Sequence, residues 1–303
     1  MQISAKKGIS NRAAMAGKPD WLKIKPLFGD TYREVKNLIG ELNLHTVCQE
    51  ATCPNISECY SARTATFIIL GDICTRGCRF CNVKKGKPAE YDLGEPARVA
   101  DACARLNLRF AVITSVTRDD LSDGGAAIFA ETTRLIKARI PSCGVELLIP
   151  DLMGDHDALG TIIEAGPDVL AHNLETVPRL YRKVRPKAQY ERSLGILKAA
   201  AKASDRIIVK SGLMVGLGET DEEILQVIAD ARDHDCQALT IGQYLRPTEW
   251  HLPVEKYYPP EWFKMIKQEG EKLGMKYIEA GPLVRSSYLA HKQVAAFRHK
   301  VNG

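Results

Sequence analysis

At 303 residues, 45% hydrophobic and 26% charged, the chain has the composition of a globular protein that buries one large core or two small ones, which excludes disordered and fibrous classes. A net charge of +5 with dispersed Lys and Arg offers no basic footprint for nucleic acid. No apolar run approaches the roughly 20 residues that span a bilayer and no signal-peptide core is visible, so a cytoplasmic location with no membrane partner is expected.

In chain order, residues 1–19 carry Lys6, Lys7, Arg12 and Lys18 without an acidic residue, which fits an organelle transit peptide or an untethered N-terminus, the second being the expectation. Residues 20–64 are polar and rich in Pro, Gly and Cys. Short runs rich in β-branched residues then predict strands at Thr66–Leu70, Arg109–Thr114, Val145–Ile149, Asp168–Leu174, Ile207–Met214 and Ala238–Gln243. Helical spacing separates them at Glu95–Leu106, Ala126–Ile140, Ser193–Ala203 and Asp221–Asp233. Strands alternating with helices imply βα units and a parallel sheet, and periodicity alone suits a barrel or an open doubly wound sheet. A turn-rich connector, Pro253 to Pro260, leads to a helix near Glu261–Leu273 and a tail from Leu283 to Gly303. The expected division is an N-terminal extension over 1–64, a central α/β unit over 65–250 and a C-terminal extension over 251–303.

Six of the nine cysteines fall between Cys48 and Cys81, a density that reads as metal binding rather than disulfides in a non-secreted chain. Cys103, Cys143 and Cys236 read as small buried apolar residues. Cys74-Thr-Arg-Gly-Cys78-Arg-Phe-Cys81 follows the first predicted strand, so one short loop presents three thiolates to one centre. Soft thiolates suit zinc or iron–sulfur clusters, and a structural zinc site normally closes with four ligands. Here the fourth is missing locally, as a catalytic cluster with one open iron requires. Gly77 permits a tight turn, and Arg76 and Arg79 either offset the charge of a thiolate-ligated cluster or are solvated surface groups.

With an aromatic residue, Phe80, before its last cysteine, this triplet resembles the radical S-adenosylmethionine signature. The resemblance implies a partial (β/α)6, TIM-like barrel whose [4Fe–4S] cluster chelates S-adenosylmethionine at the open iron and splits it to a 5′-deoxyadenosyl radical. Gly212-Leu-Met214-Val-Gly216-Leu-Gly-Glu219 is similar to the superfamily stretch near the adenine, which makes Gly216 a candidate contact; a turn shaping a helix N-terminus is the other reading.

The second triplet, Cys48-Gln-Glu-Ala-Thr-Cys53-Pro-Asn-Ile-Ser-Glu-Cys59, also lacks a local fourth ligand. Its spacing ahead of the first triplet closely resembles lipoyl synthases. So do the segments Thr114 to Gly125, His172 to Leu180, Lys210 to Met214 and Arg285-Ser-Ser-Tyr288. The resemblance implies a second [4Fe–4S] cluster on Cys48, Cys53, Cys59 and a serine oxygen of the tail, Ser287 or its neighbour Ser286. The tail must then fold back over the N-terminal segment. It further implies hydrogen abstraction at C6 and then C8 of an octanoyl chain, with the second cluster consumed as sulfur source. The implied partners are octanoylated lipoyl domains or H-protein, a one-electron donor such as flavodoxin or ferredoxin, and an iron–sulfur carrier protein.

Unactivated methylenes offer no acid–base handle, so no catalytic histidine is expected; His45, His172 and His251 read as structural or lining groups. Asn173, Glu175, Arg185 and Lys210 sit at predicted strand ends and are candidate cofactor contacts or salt-bridged structural groups. Asp119 and Asp120 order the site or cap a helix, and Asp123 reads as a cap. Three readings compete: a two-cluster electron carrier, another sulfur-inserting radical enzyme, and a zinc protein.

Overall fold

The apolar β-branched runs become the strands of one eight-stranded sheet in the computed structural model, which describes residues 18–24 and 28–302. Lys6, Lys7 and Arg12 lie outside the described residues. The N-terminal segment folds as helix α1 (Asp30–Glu41), a short strand β1 (His45–Thr46) and two small helices, α2 (Val47–Glu50) and α3 (Ile56–Ser61). Strand β2 (Thr66–Ile69) opens the parallel series, and β3 (Ile73–Cys74) pairs only with β4 (Lys84–Lys85) in a separate ribbon.

The alternation follows: α4 (Glu95–Arg105), β5 (Phe110–Ser115), α5 (Ala126–Arg139), β6 (Gly144–Leu148), α6 (His156–Glu164), β7 (Val169–Ala171), α7 (Tyr181–Val184) and α8 (Tyr190–Ala203). Then come β8 (Ile208–Val215), α9 (Asp221–Asp233), β9 (Ala238–Gln243), α10 (Pro260–Lys272), β10 (Tyr277–Gly281) and α11 (Ala290–Asn302). Side chains start several helices. Asp155 accepts from the backbone of Asp157 and Ala158 at 2.9 and 3.0 Å ahead of α6, and Thr220 and Glu223 form a reciprocal capping box at α9.

The sheet order is β1-β2-β5-β6-β7-β8-β9-β10, parallel throughout except for the antiparallel β1. The six predicted strands are β2 and β5 to β9. A seventh parallel strand, β10, pairs with β9 from Tyr277↔Ala238 to Gly281↔Gly242. Its run Tyr-Ile-Glu-Ala-Gly carries only two large apolar residues, which hides it from pattern reading. The stretch 251–303 therefore contributes a strand to the sheet.

Alternate residues along each strand face opposite ways. Ala111, Leu170, Val209, Leu239 and Ile278 join the main core under the helices. Their neighbours Val169, Ile208, Ala238 and Tyr277 form a second cluster with Val294 and Phe297 of α11, and Phe110 packs against it. All of these strand residues lie at strand starts, so α11 fills the N-terminal end of a partial (β/α) barrel and touches both β5 and β10. The opposite end, where parallel barrels carry their chemistry, stays open. Among the described residues no helix is long and apolar enough to cross a membrane.

Phe297 is 6% exposed and packs edge-on against Tyr277 at 6.5 Å between ring centroids. Phe297→Ala is expected to destabilise the fold by about 3 kcal/mol through lost burial and the cavity left behind. A urea midpoint unchanged from the parent would show that α11 does not plug the barrel.

Candidate functional site

At the C-terminal ends of the strands lies a cavity of about 530 Å³, within the range of small-molecule sites. All six clustered cysteines line it, and all nine cysteines are free thiols. The first triplet rides on the loop that follows β2. Leu70 and Gly71 turn the chain there with φ of 69° and 87°. The loop is then pinned to its neighbours: Thr75 N–H donates to Thr117 O at 3.0 Å, Arg79 N–H to Val184 O at 2.9 Å, and Lys187 Nζ to Thr75 O at 2.9 Å.

Arg76 is buried and its charge is already answered. Its guanidinium donates to Asp119 at 2.7 and 2.8 Å and to Asp151 at 2.6 Å. Arg79 is exposed. Asp120 accepts from Arg118 at 2.8 Å, and Asp123 accepts from Gly125 and Ala127 N–H, each at 2.9 Å, at the start of α5. Of the three aspartates, Asp123 accepts from the backbone leading into α5, whose N-cap position is Gly125, and Asp119 orders the cysteine loop through Arg76.

The second triplet spans α2 and α3. Cys53 N–H donates to Cys48 O at 3.1 Å and Cys59 N–H to Asn55 O at 2.9 Å, with Thr52 between them in the left-handed region at φ 51°. Asn55 Nδ2 donates to Leu283 O at 2.8 Å, and Tyr288 hydroxyl donates to Glu58 at 2.9 Å. These bonds lay the tail against the N-terminal segment. Arg285, Ser286, Ser287 and Tyr288 consequently line the same cavity as Cys48, Cys53 and Cys59.

Burial pushes the thiols of Cys48, Cys59 and Cys81 up to about 12, and those of Cys53 and Cys78 upward as well. The Arg285 guanidinium partly offsets this at Cys53. In the metal-free chain these thiols are protonated at neutral pH, so a metal must displace protons to bind. Three soft thiols in each set are donors that an iron–sulfur cubane takes, one to each iron.

Beside the first triplet, Asn173 Oδ1 and Arg185 Nε are buried without a partner. Glu175 holds φ 66°, a region a non-glycine residue rarely adopts, with its N–H on Gly212 O and its carbonyl accepting from Met214, both at 2.9 Å. Burial pushes its carboxyl upward, and Arg185 opposes the shift. Arg185 donates to the carbonyls of Asn173 and Leu174 at 2.9 and 3.2 Å. A Cβ on Gly212 would stand 2.7 Å from Asn173 Oδ1. The wall is thus a close-fitting polar cradle with unanswered donors and acceptors. This is what a zwitterionic cofactor such as S-adenosylmethionine needs.

The structure brings Phe80, Asn173, Glu175, Arg185, Ser286 and Ser287 to the cavity, and leaves two candidate cofactor contacts outside it. Gly216 lies in the strand-to-helix turn at φ 108°, where Glu219 accepts its N–H and a Cβ would collide with Gln243 and the Lys256 carbonyl. Turn chemistry, not approach to a ligand, demands this glycine. Lys210 points into the barrel below the cavity, where its ammonium meets Glu146 and the Ser286 carbonyl. Strand-end reading placed Lys210 one layer too high. Lys18 and Arg285 also line the cavity; the flanking serines already marked Arg285, whereas nothing in the sequence marks Lys18.

The histidines serve as fastenings. His45 Nδ1 contacts Glu50 at 3.2 Å, and His251 Nε2 contacts Cys81 O at 3.1 Å. His172 is buried between Ile149 O and Ser193 Oγ, both at 2.9 Å.

Residues 68–231 match the family model of the radical SAM superfamily, and residues 4–53 match that of the N-terminal domain of lipoyl synthase. Methylornithine synthase shares the fold at a TM-score of 0.54, with 13% identity over 90% of this chain and 93% of that one. SuiB of Streptococcus suis, solved with S-adenosylmethionine, aligns at a TM-score of 0.55 with 9% identity over 76% of this chain and 54% of its own. The chain is a radical SAM protein. Lipoyl synthase of Rubrobacter xylanophilus is 54% identical over 95% of this chain and 89% of its own length. That of Caldicellulosiruptor saccharolyticus is 55% identical over 91% and 96%. The chain belongs to the lipoyl synthase family.

His172 gives the site a pH signature. Burial, aided by Arg185, pushes its pKa from 6.5 down to about 4. The fold keeps the ring neutral while the unfolded chain protonates it, so this stabilisation is complete above pH 6.5 and disappears as pH falls towards 4. Up to about 3 kcal/mol is at stake. Urea midpoints of the metal-stripped chain are expected to fall across that window, and His172→Gln to flatten the slope.

Proposed function

We propose that the chain inserts two sulfur atoms, at C6 and C8, into an octanoyl chain on a lipoyl-domain lysine, giving the lipoyl cofactor. One observation carries this reading: two sets of three free thiols, from separate segments, face one cavity of about 530 Å³. Cys74, Cys78 and Cys81 would hold one [4Fe–4S] cluster with an iron left open for S-adenosylmethionine, which Phe80, Asn173, Glu175 and Arg185 would orient. Cys48, Cys53, Cys59 and Ser287 would hold the second; among the described residues the Ser287 hydroxyl has no protein partner, whereas Ser286 Oγ accepts from Asn173 Nδ2 at 3.4 Å. Loaded in this way, the site supplies a carbon-centred radical from S-adenosylmethionine and sulfide from the second cluster.

The chain's own residues position and shield. Ile68, Val112 and Leu148 line the cavity and offer an apolar slot for the acyl chain. Seven buried carbons contribute about 6 kcal/mol at ~0.8 kcal/mol each, and the protein carrying the acyl group must supply the rest. No side chain is needed as a general base, and His172, with both ring nitrogens engaged, provides none.

A protein-bound octanoyl substrate, an octanoylated lipoyl domain or H-protein, follows from this reading. A one-electron donor such as flavodoxin or ferredoxin and an iron–sulfur carrier protein would serve the two clusters. Nine free thiols and oxygen-sensitive chemistry suit the reducing cytoplasm.

An octanoylated lipoyl domain incubated anaerobically with reconstituted protein, reductant and S-adenosylmethionine should gain two sulfur atoms by mass spectrometry. Cys74→Ala is expected to abolish formation of 5′-deoxyadenosine, and normal formation would remove the first cluster assignment. Cys53→Ala should retain that cleavage yet yield no lipoyl product; sulfur insertion at parental yield would refute the role of the second triplet.

A further inference from the structure

Between the apolar plug of α11 and the open cavity, the barrel interior holds an ion pair. Lys210 of β8 is 2% exposed and Glu146 of β6 is fully buried. The ammonium donates to the two carboxylate oxygens at 2.9 and 3.1 Å. On the intervening strand β7, Lys210 is in register with Ala171 and Glu146 with Val169, so the two side chains meet diagonally across it. Stability gives a weak reason for such a pair, since well-packed apolar residues of similar volume commonly stabilise a core as well or better.

The third ammonium proton points to a reason. It goes to Ser286 O at 2.6 Å, a carbonyl in the turn between β10 and α11. This turn carries both serines and lies close against the barrel. A Cβ on Gly242 would stand 2.1 Å from the Val284 carbonyl, so only glycine admits the turn at that depth. Fixing the Ser286 carbonyl fixes the peptide plane that leads into Ser287.

We propose that Lys210 and Glu146 are a positioning pair that clamps the Ser286 carbonyl and thereby presents the Ser287 hydroxyl to the Cys48, Cys53 and Cys59 thiols. Glu146 holds the ammonium in place, and the ammonium holds the turn. Neither residue touches substrate or cluster. The inference rests on the proposed second cluster, and the test separates the two.

In a Cys74→Ala, Cys78→Ala, Cys81→Ala background only the second triplet can load. With Lys210 and Glu146 present, anaerobic reconstitution should give about four iron and four sulfide per chain. Failure there would overturn the second cluster, and the positioning pair with it. Lys210→Met alone would strand a buried carboxylate, so the informative variant replaces both charges, Lys210→Met with Glu146→Leu. Its thermal melting should match the background, while bound iron falls at least twofold, or the EPR spectrum of the reduced cluster changes as its oxygen ligand is lost. Full loading with an unchanged spectrum would overturn the proposal. So would failure of the double variant to fold, which would make the pair a stability element.

Discussion

The site depends on the return of the tail to the N-terminal segment. Asn55 on Leu283 O and Tyr288 on Glu58 each join residues more than two hundred positions apart, separated by 228 and 230 along the chain. Loop-closure entropy grows only slowly with length, so two such bonds and the packing beside them can hold segments this distant. The parallel sheet makes the meeting possible. Its last strand, β10, delivers the chain to the open end of the barrel, and α11 then descends to the base. Without that descent the turn bearing Arg285 to Tyr288 would have only one anchored end.

The barrel interior is graded from base to mouth. At the base, Phe110, Val169, Ile208, Ala238 and Tyr277 meet Val294 and Phe297, an apolar plug that excludes water. Above it sits the Lys210–Glu146 pair, and above that the unpartnered Asn173 Oδ1 and Arg185 Nε. Polar groups left unanswered low in the barrel would be a steep penalty; at the mouth they are available to a ligand. The same ordering explains the glycines. Gly212 and Gly242 stand where another group must come close, and Gly216 where the backbone must also turn.

Much of this was legible in the sequence because its signals are local. Six strands announce themselves by β-branched runs, and the two cysteine triplets by their spacing. The rest is tertiary. Strand β10 has too few large apolar residues to declare itself, and its identity comes from pairing with β9. Among the described residues α11 buries the stripe Ala290, Gln293, Val294 and Phe297, which no pattern ties to the bases of distant strands. Lys210 was legible as a residue near a strand end. Its direction depends on the register against β7 and on finding Glu146, and neither leaves a trace at single positions. Arg76 is the same case, since Asp119 and Asp151 are its partners only once the loops after two strands are brought together.

These features bear on how the site can be filled. Burial leaves most of the clustered thiols neutral before a metal binds, with Cys48, Cys59 and Cys81 pushed up to about 12. The thiols by themselves therefore add little negative charge to the cavity wall. Loading exchanges thiol protons for iron, and the new charge appears only together with the metal that compensates it. At Cys53 the compensation is partly built in, because the half-buried Arg285 acts on it and arrives on the same turn as Ser287. One segment thus brings both the Ser287 hydroxyl and the Arg285 guanidinium to the cavity that the second triplet lines.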